Sequence, residues 1–167
     1  MNARNRTLTS IAVLLVVTCL ALAGCQAADK EPEREIVYEK DVNCPVINFV
    51  ESTVDPAEDP ELGTVFRAYT HEFELSCSEP YIAGRIVAVL DGYIKSDSTS
   101  GWWGYYELVT KEGGVWKGNC DTIYPTKTTC IALDGEGIYE GLQLDLESEL
   151  ATGNIKFTVT RLPEAEE

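Results

Sequence analysis

Residues 69–94 read YTHEFELSCSEPYIAGRIVAVLDGYI. Tyr69, His71, Phe73, Leu75 and Cys77 alternate with Thr70, Glu72, Glu74 and Ser76, the two-residue period of a strand with one face buried. From 81 to 94, Ile82, Ile86, Ala88, Leu90 and Ile94 share one face. Arg85 and Asp91 take the other, which Val87 and Val89 make only partly polar. Gly84 and Gly92 lie on the apolar face, where a missing side chain permits sharp bending. The alternation returns in Leu142, Leu144 and Leu146 against Gln143, Asp145 and Glu147, and in Ile155, Phe157 and Val159 against Lys156, Thr158 and Thr160. No segment beyond the amino-terminal region has a helical period. The expectation is an all-β, antiparallel domain over residues 36–162. Closure into a barrel removes vulnerable edges, and the glycines favour that barrel over a sandwich.

Outward from that core the chain changes character. Arg4 and Arg6 precede thirteen mostly apolar residues, Ile11 to Ala23, the length of a secretory signal helix (~7–15) and short of the ~20 of a membrane span. Leu22-Ala23-Gly24-Cys25 then resembles the bacterial lipobox. In that family of precursors a peptidase cuts before the cysteine, whose sulfur carries a diacylglycerol with palmitate-type chains. The resemblance implies a signal peptide over 1–24, lipidation of Cys25, and a protein held on the cell membrane or outer membrane, facing the extracytoplasmic side. An ordinary signal peptide or an uncleaved anchor is the alternative. Residues 25–35 are polar and acidic, a tether with nothing to bury. Residues 163–167 form a frayed tail, and Asp55 to Pro60 form an acidic loop. The net charge is −15, which repels nucleic acid and anionic lipid and serves solubility.

Six cysteines occur. Cys19 leaves with the signal and Cys25 takes lipid, so Cys44, Cys77, Cys120 and Cys130 remain for two disulfides in an oxidising compartment. Pro125 sits midway between Cys120 and Cys130, and Ile123 to Lys127 suits a hairpin turn. The two cysteines then oppose each other across paired strands, near bonding range. Cys44 with Cys77 follows by elimination. Zinc is not expected, because there is no Cys-x-x-Cys and His71 is the single histidine.

Two segments repeat a pattern: Gly114-Val115-Trp116-Lys117-Gly118 and Gly137-Ile138-Tyr139-Glu140-Gly141. Gly101-Trp102-Trp103-Gly104 is a looser relative. On a strand each ring would lie between two bare glycine sites of its own chain. Lys117 and Glu140 would pair on the opposite face if the strands are neighbours. Parity puts Tyr139 opposite the leucines unless Gly141 marks a β-bulge, so its direction stays open. These motifs, with Ser78-Glu79-Pro80-Tyr81 leading into Gly84, resemble the allene oxide cyclase barrel-like group, which includes dirigent-type proteins. The resemblance covers roughly residues 64–160. It implies an eight-stranded antiparallel barrel with an apolar cavity, and often self-association into homo-oligomers. No catalytic pattern of that group matches residue by residue. Lipocalins place Gly-x-Trp on their first strand, and here it comes late.

No nucleophile elbow of the Gly-x-Ser-x-Gly kind is present. His71 titrates near neutrality and has the chemistry of a base, but its apolar register points to a structural histidine. Carboxylate pairs abound and none stands out. Asp134-Gly135-Glu136 and Asp97-Ser98-Thr99-Ser100 lack the ligand spacing of a calcium loop. No catalytic residue, metal or cofactor is expected. Trp102, Trp103, Tyr105 and Tyr106 load both faces of one strand. Trp102 and Tyr106 should point inward, and Trp103 and Tyr105 toward a wetter face that neighbouring strands or the acidic loop are expected to cover, since large rings are mostly buried. Together with Trp116 and Tyr139 these rings are the candidate ligand- or partner-binding residues. The leading expectation is a non-catalytic, lipid-anchored barrel that binds a small apolar ligand or an envelope protein. A cyclase- or isomerase-like enzyme using Tyr139, and a surface protein- or carbohydrate-binding module using Trp103 and Tyr105, are the alternatives.

Overall fold

The alternation of residues 69–94 becomes two adjacent strands of one large sheet. The computed structural model describes residues 34–163, apart from residue 53. The signal run, Cys25, most of the tether and the end of the tail lie outside them. The strands are β1 (Glu35–Asn43), β2 (Val46–Glu51), β3 (Ala57–Asp59), β4 (Gly63–Leu75), β5 (Gly84–Ile94), β6 (Ser100–Thr110), β7 (Val115–Tyr124), β8 (Lys127–Glu136), β9 (Leu142–Glu149) and β10 (Asn154–Arg161). Every pairing is antiparallel, in the order β1-β10-β9-β8-β7-β6-β5-β4-β2, with β3 added on β4. Among the described residues one 3-10 turn, Gly137–Tyr139, interrupts the strands. The domain is all-β and barrel-like.

The two ends of the sheet path, β1 and β2, are separated in the chain by Cys44 and Pro45 alone. Cys44 donates its N–H to Gly153 at 3.0 Å and is disulfide-bonded to Cys77. The second disulfide joins Cys120 and Cys130, directly opposed in the β7–β8 ladder. Both pairings are those expected from the spacing. The hairpin turn between them is also as expected, with Ile123 paired to Lys127.

Curvature comes from bulges at residues that carry no turn signature. The β4–β5 register shifts between Phe66 and Tyr69, where Ala68 has a φ of 50° and its N–H reaches the Asp91 carboxylate at 3.0 Å. In β8 the shift falls between Cys130 and Leu133, where Ala132 has a φ of 54° and its N–H is taken by Asp145 at 2.6 Å. A bulge releases one backbone donor from the ladder, and in both places a carboxylate on the adjacent strand receives it. Asp91 is held below the usual carboxylate range chiefly by that N–H, with Arg67 beside it.

Three expectations need correction. β5 starts at Gly84, and residues 79–83 form a turn in which Ile82 and Ala83 donate to the Glu79 carbonyl. Lys117 pairs with Glu136 at 2.7 Å and Glu107 at 3.6 Å instead of Glu140, because Glu140 lies in the turn after β8, beyond the ladder. The rings rest on glycines of the neighbouring strand, where Gly92 faces Trp102, Gly101 faces Tyr93 and Gly135 faces Trp116. Cross-strand partners stand closer than same-face residues of one strand, so the bare site that a ring needs is the one opposite.

Candidate functional site

The interior of the sheet is filled unevenly. At one end Trp116 is fully buried and stacks on Tyr139, with ring centroids 4.5 Å apart and planes 10° from parallel. The two repeated motifs therefore meet face to face. Tyr139 is turned inward by the 3-10 turn, which resolves its direction without a bulge at Gly141. Its hydroxyl donates to the Pro80 carbonyl at 3.0 Å and lies 3.2 Å from the Thr110 hydroxyl. Trp116 donates its indole N–H to the Tyr81 carbonyl at 2.8 Å. Phe157, Ile82, Leu144 and Val159 complete this packed half. Outside it lies an open cleft bordered by Pro80, Tyr81, Glu112, Ile138, Tyr139 and Leu142.

Glu79, only 2% exposed, fixes the 76–83 turn to β1. It accepts from Lys40 at 2.8 Å and from the Tyr38 hydroxyl at 3.2 Å, and the Lys40 ammonium is held above its usual range by that contact. Tyr38 also packs its ring 5.0 Å from Tyr81. The Ser-Glu-Pro-Tyr stretch stood out in the sequence, but no pattern there marks its carboxylate as buried.

The other half is hollow. A cavity of about 270 Å³ is lined by Val46, Phe49, His71, Phe73, Leu90, Trp102, Tyr106, Thr122, Tyr124, Thr128 and Leu150. It shares Val46, Phe73, Tyr106, Thr128 and Leu150 with a deeper cavity of about 100 Å³. The deeper one is walled by Leu75, Ile86, Leu108, Leu133, Leu146, Ile155 and the Cys120–Cys130 disulfide, with Ser148. Trp102 and Tyr106 thus face inward, as β6 alternation requires. Val46, Phe49 and Tyr124 are each more than half exposed and form an apolar rim.

Polar atoms gather in the outer part. The Tyr106 hydroxyl lies 3.4 Å from that of Thr122, which lies 2.8 Å from that of Thr128. His71 is boxed by rings: Tyr69 at 4.4 Å and Phe49 at 5.1 Å, both edge-on, and Trp102 at 5.8 Å. Its Nε2 is buried without a hydrogen-bond partner. Burial pushes the His71 imidazole below its ordinary value, against a weaker upward pull from Glu51. Burial likewise raises the Tyr106 phenol. Both groups are uncharged at neutral pH. The odd-position register found His71, but a register does not say whether the space beside a side chain is filled.

Trp103 and Tyr105 depart from expectation. They are 39% and 43% exposed on the outer face, with Tyr93 of β5 beside Trp103 at 6.3 Å. Outward positions of a strand in a curled sheet have no second layer above them. The six candidate rings therefore divide among three places: Trp102 and Tyr106 in the cavity wall, Trp103 and Tyr105 outside, Trp116 and Tyr139 in the packed half. The chain matches no protein-family model, no curated protein sequence and no solved structure, so the geometry carries the functional reading.

Proposed function

We propose that this chain is a lipid-anchored extracytoplasmic binding protein, a closed eight-stranded barrel that holds a small apolar ligand without transforming it. The observation that carries the binding reading is the connected pair of cavities, largely apolar inside and edged by exposed Val46, Phe49 and Tyr124. Preformed, mostly apolar hollows with a few polar groups are the usual form of small-molecule sites. Closure is supported by the chain path. Read as one kinked strand, β1–β2 is antiparallel to β10 along its first part and to β4 along its second, which with β4–β10 makes eight staves. The likeness of the glycine–aromatic strands to the allene oxide cyclase barrel-like group agrees with that count. Anchoring rests on Leu22-Ala23-Gly24-Cys25 and the apolar run before it.

The test of binding is uptake of the neutral dye N-phenyl-1-naphthylamine. Saturable uptake that Leu150→Trp abolishes supports the reading, because Leu150 lines both cavities. Uptake that never saturates beyond lipid partition, or is indifferent to this change, removes it. Anchoring is tested separately: Cys25→Ser should release the protein from the membrane fraction.

One observation favours a second reading. Exposed Trp103 and Tyr105 stand beside exposed Val89 on the outer face of β5 and β6. Such rings suit contact with an envelope protein or a second copy of the chain. Loss of self-association or of a captured partner in a Trp103→Ser, Tyr105→Ser double variant would support it.

A further inference from the structure

All six residues of β2, Val46–Glu51, are exposed, although Val46, Ile47, Phe49 and Val50 are large and apolar. Among the described residues β2 ends the sheet path and pairs with β4 alone. On its other side β10 follows β1 as far as Asn43, and the β9–β10 turn reaches Cys44, whose N–H goes to Gly153. Past Pro45 no described strand lies along that edge. The Pro45 carbonyl accepts from Ser76 and the Ser52 N–H goes to Thr70, so both residues turn their backbone toward β4. Successive residues of a strand turn theirs to opposite sides, so Val46 and Glu51 address the open edge. Native sheets blunt such edges with lysine, proline or a covering element. β2 holds neither residue, and its one irregularity is the bulge beside Asn48.

We propose that β2 pairs antiparallel with β2 of a second copy of this chain across a two-fold axis, joining the two sheets edge to edge. An open strand edge is matched by another extended strand, whose N–H and C=O groups recur at the same interval. A chain of net charge −15 repels its own copies, and β2 is where that charge is absent. No charged side chain lies between Asp41 and Glu51. The carboxylates beside it on β4 are engaged, Glu72 with Arg85 at 2.6 Å and Glu74 with Lys111 at 3.6 Å.

The strand also complements itself. A two-fold axis makes every contact reciprocal, so Val46 of one protomer bonds Glu51 of its partner twice over. Ile47 then meets Val50 on the outer face, since both oppose outward glutamates of β4, Glu74 and Glu72. The two Glu51 carboxylates stand about 17 Å apart at ~3.4 Å per residue, beyond a screening length of about 8 Å. This edge lies on a different strand from Trp103 and Tyr105, and the proposal does not depend on the small-ligand reading.

The test is sedimentation equilibrium of the full-length protein in detergent, where a reversible monomer–dimer equilibrium is expected. Glu51→Pro should weaken the dimer at least about tenfold, because each protomer loses an edge donor. The fold should tolerate it, since proline is accepted in a strand whose N–H faces solvent. The Trp103→Ser, Tyr105→Ser double variant should dimerise as the wild type does. Ile47→Cys and Val50→Cys proteins, mixed under mild oxidation, should form a disulfide-linked dimer. Neither should do so alone, because equivalent residues are three positions out of register, about 10 Å apart, past the ~7 Å limit for bridging. The cysteine mixture carries the test if Glu51→Pro does not fold.

A monomer at every concentration overturns the proposal. A dimer indifferent to Glu51→Pro overturns it, and so does a cysteine mixture that stays unbridged. A dimer lost in the Trp103, Tyr105 variant overturns it by moving the contact to the outer face.

Discussion

Around Trp116 the interior of the sheet is solid, with Phe157, Ile82, Leu144 and Val159 pressed to near-zero exposure. Around Tyr106 the same sheet encloses space. Both halves use the same device, a ring laid on a glycine of the next strand. In the packed half Gly135 leaves room for both the Trp116 ring and Tyr139, which stacks on that ring. In the hollow half Trp102 lies on Gly92 with Phe66, Tyr69 and His71 around it at 5.3, 5.5 and 5.8 Å, all tilted and none parallel to it. The parallel second ring is the difference. It arrives from the 3-10 turn at Gly137–Tyr139, and no comparable insertion follows β6.

The largest expected effect is at Trp116. Trp116→Ala removes a fully buried ring and its indole bond to Tyr81, and should lower the unfolding free energy by about 3–5 kcal/mol, read by urea denaturation. Dye affinity should be unchanged wherever the variant remains folded. Unchanged stability with abolished binding would exchange the roles assigned to the two halves.

Each disulfide belongs to a different region, so their removal separates the contributions. Cys44–Cys77 closes a separation of 33 residues where β1 and β2 meet, and replacing both by alanine should cost about 3–4 kcal/mol on the chain-entropy account. Cys120–Cys130 spans 10 residues and walls the deeper cavity. Its loss should cost less, about 2–3 kcal/mol, and should alter dye affinity more. Equal effects on binding would mean that the disulfide wall does not contact the ligand.

Glycine replacements probe the rings directly. A Cβ on Gly135 would meet the Tyr139 carbonyl oxygen, with the Trp116 ring 2.9 Å away; neither can retreat, and Gly135→Ala should cost about 1–3 kcal/mol. A Cβ on Gly92 meets the Trp102 ring first and the Gly101 carbonyl oxygen at 2.9 Å, and a side chain yields more readily than the backbone oxygen that is met first at Gly135. Gly92→Ala should therefore cost less in thermal unfolding and reduce ligand capacity. A greater loss of stability at Gly92 than at Gly135 would show that Trp102, bonded to Ser100 and packed by Phe66 and Tyr69, cannot yield.

These contrasts mark what the amino-acid order made legible. Strands 69–75, 142–149 and 154–161 follow from a period of two, and Cys120 opposite Cys130 follows from a proline-centred turn. The Ala68 and Ala132 bulges did not announce themselves, because alanine has no turn preference. Their stabilising carboxylates, Asp91 and Asp145, lie 23 and 13 residues away in the chain. From composition those acids read only as solubility. Tyr139 escaped parity because a 3-10 turn has no two-residue period. His71 was on the right face, but the vacancy beside it depends on side chains from β2, β6 and β7 that no local pattern brings together.

The smallest effect concerns pH. Burial lowers the His71 imidazole in the fold from its ordinary 6.5, while Glu51, its ladder partner across β2 and β4, offsets part of that shift. With the folded value depressed, the unfolded chain binds the proton first, so stability rises with pH through this window. The contribution is intact above about 6.5 and is lost as pH falls from there to the lower folded value, before most carboxylates titrate. Melting temperatures at pH 7.5 and 5.5 should therefore fall further for the wild type than for His71→Leu. Parallel melting at both pH values would mean that the imidazole is solvated, and the hollow half would then be a water-filled mouth.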